Sequence, residues 1–326
     1  MQIAILGGGI GGLSTAIALL QAGFKVSVYE RHSSPTDIGA GIVCWPNASF
    51  ILEELGVLEQ VAQVSGTLLH MHRFSSSNQS LGSLDIRQLN RQMGYPSYSV
   101  LRKDLLTILT QRCLALNGSI AYQHNVTAIS EYAPASASVQ FANGLAIQAD
   151  VIIGADGRMN SLARQYVNHH NAPIYQGFIN WIGVYSSQTA LFSELSVSDY
   201  WGVGERFGIV PISKNVAYWA GGVAAANIEE NHPESYQREL NSLFADWPEP
   251  ITQLINGTAQ KNINKIYVHD HHPITTWHKG NLVLLGPESV TSPFEVTDSG
   301  GRLSSFASSD LRPRSLPSVG RCLAYS

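Results

Sequence analysis

Apolar positions at two different spacings open the chain. Ile3 to Leu6 form an unbroken apolar run, which predicts a short buried strand. Leu13, Ala16, Ile17 and Leu20 then recur at helical spacing, and Gly23 stops that helix. "FKVSVYE" predicts a second strand ending in Glu30. Further on, "SVLRKDLLTILTQRCLALNG" predicts a helix with Leu105, Leu106, Ile108 and Leu109 inward and Gly118 at its end. "SIAYQHNVTAISEY" and "ASVQFANGLAIQA" follow, the latter with an Asn143-Gly144 hairpin turn. An apolar strand in "DVIIGADG" and a helix in "RMNSLARQYV" come next.

From about Ala172 to Tyr267 the pattern turns strand-like. "GFINWIGVYSS", "SDYWGVGERFGIVPIS" and "NVAYWAGGVAAA" are apolar or aromatic runs divided by turn residues. "NHPESYQRELNSLFADWPEPITQLING" is helical, punctuated at Asn231-His232-Pro233 and at Pro250. "LLHMHRFSSSNQSLGSLDI" is expected to add strands to the same sheet. "GNLVLL" reads as a late buried strand running into Gly286. The predicted class is α/β, with a mainly β insertion.

The glycines between the first strand and helix change the picture from fold to chemistry. Gly7-x-Gly9-x-x-Gly12 lies between strand and helix, with an acid closing the next strand. Gly7 allows the tight turn, Gly9 lets backbone approach a pyrophosphate, and Gly12 lets the helix pack close to the strand. The helix N-terminus offers N–H groups and partial positive charge to that pyrophosphate. Glu30 stands where an acid accepts the hydroxyls of an adenosine ribose. The order of strand, turn, helix, strand and acid predicts a dinucleotide-binding, Rossmann-like domain.

Composition narrows the classes. The 326 residues carry a net charge of -4 with no Lys/Arg cluster, which argues against nucleic acid. Hydrophobic content of 44% and charged content of 13% predict a sizeable core. Cys44, Cys113 and Cys322 show neither metal-ligand spacing nor a CxxC pair, as expected of reduced cytosolic thiols. No second GxGxxG opens another strand–helix unit, against a separate nicotinamide domain. The glycines within the N-terminal apolar run argue against a membrane span. A soluble, cytoplasmic protein, monomer or homodimer, is expected. "VHDHH", His269 to His272, reads as a polar turn before a strand rather than a metal cluster, and no metal is expected.

"VIIGADGRMNSLAR", Val151 to Arg164, carries Asp156, Gly157, Ser161 and Arg164 in the form apolar strand-G-A-D-G-x-x-S-x-x-R. With the N-terminal GxGxxG, "GAGIVCWPNA" and "LRKDLL", it resembles the FAD-dependent aromatic hydroxylases, the p-hydroxybenzoate hydroxylase-like group. The likeness runs from about Met1 to Phe294. "INWIG", then "RFGIVPI", then "YW" resemble the salicylate- and urate-hydroxylating branch. The resemblance implies FAD as cofactor, NADH or NADPH as co-substrate, and dioxygen delivering one oxygen to a small aromatic or heteroaromatic acid. It implies FAD contacts from Gly7, Gly9, Gly11, Gly12, Glu30, Arg31, Val43, Arg102, Asp156 and Gly286, and from the Val126 backbone. It implies substrate contacts from Asn180, Arg206 and Tyr218, the last two also taken as catalytic. An exposed strand charge for Arg206, a turn amide for Asn180 and a core ring for Tyr218 are the alternatives. The implied cofactor domain spans 1–70, 98–170 and 271–302, and the substrate domain 71–97 and 171–270.

The late family motif departs from this pattern. After "NLVLLG" the family has Asp, which accepts hydrogen bonds from the flavin's ribityl chain, whereas this chain has Pro287 and then Glu288. Proline brings neither a side-chain acceptor nor an N–H. From Leu303 onward, 24 residues hold seven Ser, two Pro and three Arg without amphipathic repeat, so a disordered tail is expected. A frameshift near codon 287 would explain both features, and a genuine divergent tail is the alternative. Two alternatives to a working hydroxylase follow: an inactive homologue that keeps the fold and binds FAD poorly, and a flavin-dependent dehydrogenase or reductase.

Overall fold

A computed structural model of the chain describes residues 1–35, 41–133, 136–169 and 172–285. By compactness it forms two units: Met1–Thr36 with Leu109–Ile174 and Asp270–Ser326, and Asp37–Ile108 with Tyr175–His269. Segments 41–70 and 98–108, expected from sequence to serve the cofactor, group by contact with the second unit. Compactness and ligand allegiance are separate properties.

The first unit is built on a six-stranded sheet. Its strands in spatial order are His278–Lys279, Leu282–Leu284, Val151–Gly154, Gln2–Leu6, Lys25–Tyr29 and Ser119–Ala121. All neighbours are parallel except the first pair. Parallel strands need long crossovers, and the helix Ile10–Gln21 supplies the first. It buries Leu13, Ala16 and Ile17 of the predicted stripe, together with Gly12, while Leu20 is only half-buried. The Asn143-Gly144 turn closes the hairpin between Ser136–Phe141 and Ala146–Gln148, with Gly144 at φ +85°. Val139, Phe141, Ile152, Leu6 and Leu282 share one core.

The second unit carries a seven-stranded sheet in the order Asn264–Asp270, Ile174–Ser186, Val216–Ala224, Glu205–Pro211, Val197–Trp201, His70–Ser75 and Ser80–Asp85. The strands expected from the 68–86 segment are its last two. Alternation sorts its faces. Trp181, Tyr185, Phe207, Ile209 and Trp219 enter a core with the helices Tyr236–Leu243 and Ile251–Gly257. Asn180, Arg206 and Tyr218 belong to the opposite parity and hence the opposite face. A smaller sheet pairs Gly41–Cys44 and Gly66–Thr67 with Tyr98–Leu101.

Two expectations need correction. His269 and Asp270 end the strand Asn264–Asp270, so "VHDHH" is not wholly a turn. Its first residues have period-2 neighbours in "NKIYVHD", which pair at the sheet edge. Ile108 is only half-buried, while Leu105, Leu106 and Leu109 are buried as expected. Among the described residues, no helix is long and apolar enough to cross a membrane. Cys44 and Cys113 are buried free thiols, and burial pushes Cys44 up to about 12, which keeps it unreactive.

Candidate functional site

Three separate sequence motifs meet at one edge of the parallel sheet. Leu6 is in register with Tyr29 on one side and with Gly154 on the other, and Gly154 is in register with Leu284. The residues that follow these strand ends are therefore neighbours: Gly7, Glu30, Ala155-Asp156 and Leu285. Backbone bonds tie them, Gly7 N–H to Tyr29 O at 2.8 Å, Ala155 N–H to Leu6 O at 2.8 Å and Leu285 N–H to Gly154 O at 2.8 Å. Open parallel sheets bind ligands outside the carboxyl ends of their strands, and this is that edge.

The glycines divide into two kinds. Gly7 has φ +115°, and a Cβ there would stand 2.1 Å from Ala155 O. A Cβ on Gly12 would stand 2.0 Å from Gly7 O. Both are required by the packing of the chain on itself. Gly9 is extended at φ -74°, and a Cβ on it would meet nothing within 4 Å among the described residues. Among the described residues its lack of a side chain serves no contact, so it keeps space open. The helix beginning at Ile10 has no side-chain cap and no acid in its first turn. Its first N–H groups thus carry their partial positive charge with no capping side chain among the described residues. Open space beside uncapped N–H groups fits a pyrophosphate.

Glu30 borders the same turn. Its Oε2 accepts the Gly8 N–H at 2.6 Å, and its Oε1 accepts the His32 N–H at 2.9 Å. The Gly8 contribution was not legible as such in the motif, where position 8 is unconstrained. A Cβ on Gly8 would lie 3.1 Å from Glu30 Oε2, so the small residue permits the bond. Arg31 is exposed, with its Nε 3.3 Å from His32 Nε2. Val126 begins the strand Val126–Ala133 opposite Phe141, next to the Asn125 carbonyl that accepts Ala142 N–H.

Asp156 does a local job. Its Oδ1 accepts from Ser161 Oγ at 2.6 Å, and its Oδ2 from Ala163 N–H at 3.2 Å. Ser161 Oγ in turn accepts Arg164 N–H at 2.9 Å, capping the helix Leu162–Asn168. Burial raises the Asp156 pKa, against the lowering effect of these hydrogen bonds. The D-G-x-x-S-x-x-R spacing is thus a capping network that starts a helix. Leu285 closes the edge: a Cβ on Gly11 would lie 3.2 Å from its Cδ2. Gly286 and the altered motif after it lie outside the described residues.

The remaining expected residues sit in the second unit. Val43 is buried in the small sheet, and Arg102 opens the helix Arg102–Ala115, its pKa lowered by burial. Asn180, Gly222 and Arg206 form one row across three strands. A Cβ on Gly222 would lie 2.3 Å from Asn180 Oδ1 and 2.5 Å from the Phe178 ring, so glycine lets both side chains lean across the row. Tyr218 is 2% exposed and its ring covers Gly41, where a Cβ would lie 2.1 Å from the ring carbon Cδ1. Burial raises the Tyr218 phenol well above its ordinary value.

Arg206 is not an exposed strand charge. It is 6% exposed, and its Nε donates to Asp199 Oδ1 at 2.8 Å and its Nη2 to Oδ2 at 3.2 Å. Asp199 is fully buried and accepts from Trp201 Nε1 as well, at 2.7 Å. Sequence reasoning missed Asp199. Its one legible signal was an acid on an apolar strand in "SDYWG", seven residues before Arg206. The "VHDHH" run places His271 Nε2 2.6 Å from the Arg158 carbonyl oxygen. Among the described residues, the group with ligand-like spacing is His70, His72 and Glu194, which lies elsewhere.

A family profile described as an FAD binding domain matches residues 1–287. The aurachin C monooxygenase/isomerase of Stigmatella aurantiaca is 30% identical over 286 residues, covering 88% of this chain and 73% of that protein. The FAD-dependent urate hydroxylase of Mycolicibacterium vanbaalenii is 28% identical over 304 residues, covering 92% of this chain and 76% of that protein. Among solved structures, Klebsiella pneumoniae HpxO complexed with FAD and uric acid is similar at 27% identity and a TM-score of 0.78, covering 88% of this chain and 72% of that one. A family match over most of the chain, a fold shared with an FAD complex and a strand edge shaped for a dinucleotide agree: the chain belongs to the FAD-dependent aromatic hydroxylase family.

Proposed function

We propose that this protein is an FAD-dependent, NAD(P)H-consuming monooxygenase of a small, anionic aromatic or heteroaromatic ring. The observation that carries the reading is the strand edge at Gly7, Glu30, Asp156 and Leu285, with Gly9 holding open space before an uncapped helix. FAD, when bound, supplies electron transfer from the nicotinamide and activation of dioxygen. The first helical N–H groups hold its pyrophosphate. Gly8 and His32 fix the Glu30 carboxylate, and each oxygen keeps lone-pair capacity for a ribose hydroxyl. Asp156 sets the start of its helix next to the pyrophosphate. Gly11, Arg31 and the Val126 backbone complete this unit's contacts, and the family resemblance assigns Val43 and Arg102 to the same cofactor. Asn180, Arg206 and Tyr218 orient the ring, with Gly222 leaving room between the first two. The likeness to a urate hydroxylase and to a urate-bound structure supports a flat heteroaromatic acid. The test is NAD(P)H oxidation with added FAD: urate or salicylate should accelerate it, and a set of such rings without any effect would reject the reading.

A second reading concerns the chain after Leu285. The family match ends at residue 287, where proline stands for the expected aspartate. That coincidence supports a broken flavin loop, and hence weak FAD retention and electrons lost to hydrogen peroxide. Replacing everything after Leu285 with an in-frame ending from a relative should raise both bound flavin and product per NAD(P)H. Equal values for the two chains would reject the broken loop.

A further inference from the structure

The substrate face of the seven-stranded sheet holds a cation that the expected site does not use. Arg73 lies directly beside Asp199 in the parallel pairing of His70–Ser75 with Val197–Trp201. Partners in register share a face, so Arg73 stands on the side of Asp199, Trp201, Arg206 and Asn180. Its guanidinium carbon sits 5.6 Å from the Trp201 ring centroid, a cation–π contact. Its Nε is buried and has no hydrogen-bond partner among the described residues. A buried donor left unpaired is costly, and such a donor in a binding face points to an absent acceptor. Room for that acceptor exists. The residue opposite Arg73 on the edge strand is Gly82, and a Cβ there would meet nothing within 4 Å among the described residues.

Charge counting strengthens the case. Arg206 and Asp199 cancel as a buried pair. Arg73 makes no ion pair among the described residues, so these three groups together leave one positive charge, and it resides on Arg73. Arg206 alone is a poor selector of anions, because a carboxylate already occupies its fork.

We propose that Arg73 is the anion-recognising residue of this face, and that Asp199 is a positioning residue that fixes the Arg206 fork and takes up its charge. The ligand class is an aromatic or heteroaromatic ring carrying a single negative charge. Its charged group meets Arg73, and its ring lies toward Gly222 and Asn180. The proposal rests on the reading of this face as the ring-binding surface.

The test is equilibrium binding of a matched pair, salicylate and neutral salicylamide, to the full chain by calorimetry. Arg73→Gln should weaken salicylate at least about tenfold, the scale of a lost charged hydrogen bond, and leave salicylamide within about twofold. Asn180→Ala should weaken both ligands alike. Asp199→Asn releases the Arg206 charge and should widen the preference for salicylate over salicylamide, whereas Asp199→Glu should restore the wild-type preference. A purely structural Asp199 would lower both affinities without moving their ratio, and that result overturns its role. Wild-type salicylate affinity in Arg73→Gln, with Asn180→Ala impaired, overturns the Arg73 assignment and leaves the ring-binding face standing. Failure of the wild-type chain to bind either ring overturns both.

Discussion

The Glu30 carboxylate accepts the Gly8 amide at 2.6 Å, joining the end of one parallel strand to the turn that follows its neighbour. This bond makes the acid part of the turn before any ligand arrives. A carboxylate held by two backbone N–H groups presents its remaining lone pairs in a fixed direction, the preorganisation a ribose diol needs. Glu30→Gln keeps the shape and loses the charge. It is expected to weaken FAD by about tenfold and, because the amide nitrogen cannot accept one of the two backbone N–H groups, to cost about 1–2 kcal/mol of stability. Fluorescence titration with FAD alongside thermal melts checks this.

The two kinds of glycine give opposite expectations. Gly9→Val adds a side chain into open space at an ordinary backbone angle, so it should leave the fold intact and abolish FAD binding. Gly12→Ala drives a methyl to within 2.0 Å of Gly7 O, so it should destabilise by about 1–3 kcal/mol whether or not FAD is present. Denaturation of the flavin-free protein separates them. Equal loss of stability in both variants would contradict the division.

Arg206→Leu should act first on stability. Removing one partner of a buried pair strands a charge, at a cost of about 3–5 kcal/mol. Replacing Arg206 and Asp199 together with leucine should cost less than the single change. A double-mutant cycle by urea denaturation reads the coupling directly. A single variant as stable as wild type would show the pair to be solvated.

Asp156 carries a pH signature. Burial raises its pKa in the folded chain above the ordinary aspartate value of 3.8. The folded state therefore holds the proton more tightly than the unfolded state, and Asp156 favours folding most below that value. Its contribution falls as pH rises from 3.8 through the raised pKa. Asp156→Asn should remove that part of the slope, so the stability difference between wild type and variant should change with pH in this window and level off above it. A constant difference across the acid range would contradict it.

Much of the fold was written in the sequence, because burial and turn chemistry are local. Alternation in "NVAYWAGGVAAA" sets which residues face the helices, and Gly7, Gly9 and Gly12 announce a strand–turn–helix by spacing alone. Strand neighbours are not local. Nothing in the sequence places Asp199 in register with Arg73, since 125 intervening positions separate segments that only the folded sheet brings together. Arg206 was legible as a candidate through a family resemblance, yet its partner was not, because an acid on a strand reads the same whether solvated or paired. Gly222 was likewise silent, since only the tertiary row shows that Asn180 leans across it. The late motif could be read only in sequence, because it lies outside the described residues.

The most direct test of a monooxygenase is the origin of the new oxygen. The purified chain, FAD, NADH or NADPH, urate or salicylate and isotopically labelled dioxygen are combined, and product and hydrogen peroxide are measured together. The account predicts that every hydroxylated product molecule carries one labelled oxygen, that the ring accelerates nicotinamide oxidation, and that electrons not recovered in product appear as peroxide. Hydroxylated product whose oxygen comes from unlabelled water, or nicotinamide oxidation indifferent to every ring, would contradict it.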